Sequence, residues 1–161
     1  MRNILILLLF ALLITSGCRD EVKCEKEVYL LPKDFHGRFV VFFNQADGAE
    51  KCYEGDARLY TIPSSGILKS QFQKNGGCMN NQRLAFFYVD SLGKRESLHY
   101  FLDMEGVQIP ADENYIVFTL LSDKMKKTEF VMHLVGNASE FQSLVSGVRS
   151  IDPEKLLQEN Q

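Results

Sequence analysis

The sequence predicts a mainly β fold, an antiparallel β-sandwich of about eight strands with a C-terminal helix. Two observations carry this expectation. Short runs rich in β-branched and aromatic residues recur between turn signals, with no alternation of strand and helix patterns. Glycine then punctuates these runs at Asp47-Gly48, Glu54-Gly55, Ser65-Gly66, Gly76-Gly77, Leu92-Gly93 and Glu105-Gly106, where tight turns need it.

Taken in order, the runs place strands at 28–31, 38–44, 58–62, 67–72, 83–89, 97–102, 115–121 and 129–135. FVVFF, LAFFYV and YIVFTLL are apolar on both faces, as expected of strands in the middle of a packed structure. In YVDSLGKR, Asp90 opens a turn and Gly93 takes the left-handed position, so the strand at 83–89 and the one after it form a hairpin. After Gly136 the pattern changes. Asn137 or Ser139 can cap a helix, and Phe141, Leu144, Val145 and Val148 recur at helical spacing. Asp152 then caps a second helical turn with Pro153 at its first position.

The N-terminus predicts an address. One positive charge at Arg2, an apolar stretch at 4–14 and the small residues Thr15, Ser16 and Gly17 form a secretory signal over 1–17, too short to span a bilayer comfortably. Small residues directly before Cys18 make it resemble a bacterial lipoprotein signal, in which Cys18 becomes the lipidated first residue. Thr15 stands where such signals usually carry leucine. An ordinary signal followed by a structural cysteine is the alternative. Lipid chains at Cys18 would hold the protein at a membrane, with 18–27 as a polar leader, 28–136 as the sandwich and 137–161 as a helical tail. Arg19 follows the cysteine where aspartate would signal inner-membrane retention, so the resemblance implies a lipid anchor in the bacterial outer membrane, facing periplasm or cell surface.

Loss of 1–17 leaves 144 residues, enough for one domain with a proper core, and loss of Arg2 takes the formal charge from −3 to −4. An acidic chain without a basic patch argues against nucleic acid; Lys124, Lys126 and Lys127 read as a solvated turn. With Cys18 on lipid, three cysteines remain. Cys52 and Cys78 fall in loop-like sequence inside the domain and are the favoured disulfide. A bridge from Cys24 to either one would instead strap the leader down.

From YLLPKDFHG onward the chain resembles a bacterial domain family of unknown function, common in secreted proteins and lipoproteins. The resemblance runs through FNQADG, YEG, RLYTIPSSGIL, QF, FFYVD and GKR, about the central half of the chain, and ends near Leu102. It implies no activity, cofactor or catalytic residue. Its Tyr-x-Ile-Pro-x-x-Gly stretch is also similar to modules of the transthyretin and carboxypeptidase-regulatory type, an analogy of fold only. Pro32 and Pro63 each end a strand and precede Gly37 and Gly66, so two corners are expected at one end of the sandwich. These residues are read first as shaping turns; a binding rim at that end, with Phe35, His36, Asn44, Gln45 and Asp47, is the sharper alternative.

His36, His99 and His133 stand singly, without metal-ligand spacing, and His133 alternates with Val131 and Val135 as a packed residue does. The acids of 44–56 lack the calcium-loop pattern, and neither a G-x-S-x-G elbow nor a phosphate-binding loop is present. The sequence therefore assigns no metal, cofactor or catalytic residue. It points to a non-catalytic binding or structural module of the cell envelope, with a protein partner there or outside the cell. The alternative is an envelope-polymer hydrolase using His36 or His99 with a carboxylate. Oligomeric state is left open.

Overall fold

The computed structural model describes residues 24–75, 83–101, 115–121, 128–137, 139–140, 143, 146–147 and 152–159. The signal segment, Cys18, Cys78, Gly76, Gly77, the lysines 124, 126 and 127, and the tail residues Phe141, Leu144, Val145 and Val148 lie outside them.

Nine strands form among the described residues: β1 Lys26–Pro32, β2 Gly37–Phe42, β3 Cys52–Glu54, β4 Ala57–Thr61, β5 Ile67–Lys69, β6 Leu84–Val89, β7 Arg95–Phe101, β8 Tyr115–Leu121 and β9 Phe130–Gly136. They are hydrogen-bonded in the order β3-β4-β1-β6-β7-β8-β9-β2-β5. The sheet folds over into two packed layers, β3-β4-β1-β6-β7 and β8-β9-β2-β5, in a sandwich-like arrangement. All eight expected strands are present. The pairing, however, is mixed rather than antiparallel throughout: β1–β4, β1–β6, β2–β5 and β7–β8 are parallel.

The core lies between the layers. Tyr29 and Leu31 of β1, Tyr60 of β4 and Phe86 and Tyr88 of β6 point inward at alternate positions, as a strand requires. They meet Phe39 and Val41 of β2 and Val131 and Val135 of β9. Rings dominate this contact: Tyr29 stacks on Tyr60 at 4.9 Å and on Phe86 at 4.8 Å between centroids. A second cluster, Val40, Phe42, Phe130 and Met132, lies on the outer face of the β9–β2 layer beneath Leu156 and Leu157 of the helix α1, Pro153–Glu159. That helix explains why β2 and β9 are apolar on both faces. Asp152 caps it, Oδ1 accepting the Glu154 N–H at 3.0 Å, and Pro153 takes the first helical position. Upstream, Asn137 Oδ1 accepts the N–H of Glu140 while Glu140 Oε2 accepts the N–H of Asn137, a reciprocal capping box.

The turns follow their residues. Asp90 Oδ1 accepts the N–H groups of Leu92 and Lys94 and Gly93 has φ +79°, closing the expected β6–β7 hairpin. The proline corners meet as expected: the Gly66 carbonyl accepts the Val40 N–H at 2.7 Å, and Phe35 packs over Gly66.

Two expectations are corrected here. The Cys52 thiol is free and exposed on β3, so the Cys52–Cys78 disulfide is not formed; β3 turns this side chain to solvent. Cys24 is instead disulfide-bonded, to a partner outside the described residues. Residues 24–27 are also part of the folded domain rather than of a loose leader. β1 begins at Lys26, and Glu25 exchanges backbone–side-chain hydrogen bonds with Asn75.

Candidate functional site

Alternation along β1 places Glu27 on the inward face with Tyr29 and Leu31, so a carboxylate enters the core at the edge of the ring stack. The Tyr29 hydroxyl donates to Glu27 Oε2 at 2.7 Å, and the Tyr60 hydroxyl to Oε1 at 3.3 Å. Burial pushes the Glu27 carboxyl above its usual range, and the Tyr29 hydrogen bond and the Arg58 charge only partly offset this. Arg58, itself buried, lies over the Phe72 ring at 5.0 Å and donates to Glu25 Oε2 at 2.6 Å and to the Gln73 carbonyl. This network joins the start of β1 to the 73–75 segment and closes one end of the sandwich.

His133 of β9 is fully enclosed by rings, stacked on Phe39 at 5.0 Å and edge-on to Tyr29 at 5.3 Å and Phe86 at 5.1 Å. Burial lowers its pKa to about 3, so the imidazole is neutral at ordinary pH. Between it and Glu27 lies a cavity of about 30 Å³, bounded by Tyr29, Phe43, Lys74, Asn75, Leu84 and Val131. That holds a water molecule or two and no metabolite.

The larger opening is a cleft of about 610 Å³ where β1, β4 and β6 begin, lined by Cys24, Glu25, Lys26, Tyr53, Gly55, Asp56 and Arg83. Its size is in the range of small-ligand sites. Lys26 pairs with Asp56 at 2.9 Å across it, and Arg83 donates to the Cys24 carbonyl. Gly55, φ +60°, lets β3 return to β4 through a two-residue turn, which sets Tyr53 at the cleft wall, half exposed.

The five rim residues are not brought together. Phe35 and His36 precede β2, whereas Asn44, Gln45 and Asp47 follow it, and six strand residues separate them by roughly 20 Å. Phe35 packs on the core, and its carbonyl accepts the Tyr88 hydroxyl at 2.8 Å. Gln45 donates to the Phe43 carbonyl at 2.7 Å, and Asn44 adopts φ +58°. Asp47 pairs with Lys69 at 2.8 Å, which holds its carboxyl below the usual range. His36 does meet a carboxylate, Glu140 at 3.4 Å, but both are nearly half exposed and neither lines the two cavities above. His99 is exposed on β7. Among the described residues no group of three or more His, Cys, Asp or Glu side chains could hold a metal ion.

Sequence reasoning missed Glu27, Arg58 and the cleft. The signal for Glu27 was its two-residue spacing from Tyr29 and Leu31. For the cleft there was none, because its residues come from three separate stretches of chain.

The fold and site thus define a mixed β-sandwich with a ring-packed interior and an open, charged cleft at the end where the chain enters. The sequence model of the family of unknown function DUF6843 matches residues 23–133, and the chain belongs to that family. The match spans the start of β1 to His133, well past Leu102, and leaves the C-terminal helix outside it. Among solved structures, the chain is similar to a candidate lipoprotein from Bacillus anthracis, with a TM-score of 0.55 and 14% identity over 86% of this chain and 92% of that one. At that identity the likeness concerns the fold. No curated protein matches.

Proposed function

We propose that the protein is a lipid-anchored module of the bacterial envelope, carried on the outer membrane, whose domain serves a non-catalytic binding or structural role. The observation that carries this reading is the junction Thr15-Ser16-Gly17-Cys18 directly after the apolar stretch at 4–14, eight positions before β1 begins at Lys26. The fold shared with a candidate lipoprotein supports it. So does the space beside Glu27 and His133, which among the described residues is a cavity of only about 30 Å³. On this reading residues 1–17 are removed and Cys18 carries the lipid. With Cys52 free, Cys78 is then the partner of Cys24, and the bridge straps the anchored end to the domain.

Protease shaving of intact cells, with epitope-tagged wild type beside Cys18→Ala, tests it. The reading expects the wild type to fractionate with outer membranes and Cys18→Ala to leave them. Cleavage from outside would direct the partner search to the exterior, and protection to the periplasm. Unchanged processing and fractionation of Cys18→Ala would overturn the anchor.

A further inference from the structure

We propose that the end of the sandwich where β1, β4 and β6 begin is a membrane-docking face, and that its cleft receives a phospholipid headgroup between Arg83, Lys26 and Asp56. The inference rests on the lipid anchor at Cys18 and adds an orientation and a ligand class to it.

Chain length is the first argument. Six residue steps separate Cys18 from Cys24, a reach of about 20 Å even when fully extended. Cys24 lines the cleft and is fixed by its disulfide and by Arg83 on its carbonyl. An anchored domain therefore keeps this end within about 20 Å of the headgroups.

The chemistry of the cleft is the second argument. Arg83 donates to the Cys24 carbonyl and faces the same opening as Lys26 and Asp56. Glu25 is engaged by Arg58, and Asp56 forms an exposed pair with Lys26 at the cleft. A cation beside a cation–carboxylate pair complements a headgroup carrying a phosphate and an ammonium. Tyr53, one of two exposed large apolar side chains among the described residues, stands at the cleft wall. Its amphipathic ring suits the boundary between headgroup and acyl chain. The other exposed apolar residue, Leu92, is at the β6–β7 turn, on the end that would point away from the bilayer.

The free thiol of Cys52, beside Tyr53 on β3, supplies a native reporter. The lipidated full-length protein is reconstituted in vesicles of phosphatidylethanolamine and phosphatidylglycerol, and its reaction with a water-soluble maleimide is timed there and in detergent. Docking by these two cations slows Cys52 labelling roughly tenfold on vesicles. Tyr53→Asp with Arg83→Glu restores the rate, while labelling in detergent stays as in the wild type. If the wild type floats with vesicles but labels at its detergent rate, or if the variant is slowed equally, the docking face is refuted. If the wild type does not float with the vesicles, the anchor itself fails and the inference falls with it.

Discussion

The ring of Phe35 lies directly against Gly66. A Cβ added at Gly66 would stand 3.0 Å from Phe35 Cζ and 2.7 Å from the Arg38 carbonyl oxygen, and the glycine already has φ +72°. This contact joins the corner after Pro32 to the corner after Pro63. It explains why the most recognisable motif residues of the chain are prolines and glycines rather than chemistry-bearing groups.

Gly66→Ala therefore meets both a left-handed backbone and a backbone oxygen that cannot move aside, and should cost about 2–4 kcal/mol. Gly93→Ala, at φ +79° with open space around it, should cost only about 1 kcal/mol. Urea midpoints of the two variants measure the difference; equal losses would refute the close approach.

Buried Glu27 and His133 act on stability in opposite directions. The folded-state pKa of His133 is near 3 against 6.5 when exposed, so its contribution is complete above pH 6.5 and is lost as pH falls toward 3. Glu27 is raised above 4.5, so its contribution is complete below pH 4.5 and is lost as pH rises through the folded value. Unfolding free energies of wild type and His133→Phe measured from pH 7 to pH 4 should shift relative to one another on acidification, the wild type losing stability against the variant. Below pH 6 the difference should change by about 1.4 kcal/mol per pH unit in favour of the variant. A constant difference would mean that His133 takes up protons in the fold.

Tyr29→Phe leaves the ring stack in place but removes the 2.7 Å donor to Glu27. The buried carboxylate then lacks its shorter hydrogen bond, a loss of about 1–3 kcal/mol. Glu27→Gln in the same background should recover part of it, as a double-mutant cycle would show.

Alkylation of the native protein should modify Cys52 at once and Cys24 only after reduction. Cys52→Ser should leave the melting temperature unchanged, whereas Cys24→Ser should cost about 2–4 kcal/mol. Peptide mapping that found Cys52 in a disulfide would contradict the free thiol.

Leu156 and Leu157 are all that α1 is seen to bring to the apolar outer face of β2 and β9. Replacing both by Ser should bare Phe42, Phe130 and Met132 and raise dye binding to exposed apolar surface, with loss of about 2–4 kcal/mol.

What the sequence disclosed follows from which signals are local. Strand centres such as FVVFF and LAFFYV, the Asp90–Gly93 turn and the Asp152-Pro153 cap depend on neighbours within a few residues, and all are found where expected. β3 was not legible because Cys52, Tyr53 and Glu54 are all exposed and leave no alternation to read. Nor was the parallel placement of β1 between β4 and β6, since Tyr29 reaches Tyr60 and Phe86 across long separations that no local pattern encodes. The expected rim failed for the same reason: residues near in sequence were divided by the length of β2. Cysteine pairing, too, depends on which side chains the finished fold turns outward.

The central claim is the anchor at Cys18, and intact-mass and peptide analysis of the mature protein from membranes tests it most directly. The account predicts a chain beginning at Cys18, its sulfur carrying a diacylglyceryl group and its amine acylated. A mature chain that begins elsewhere, or that holds Cys18 as an unmodified thiol or in a disulfide, would contradict it.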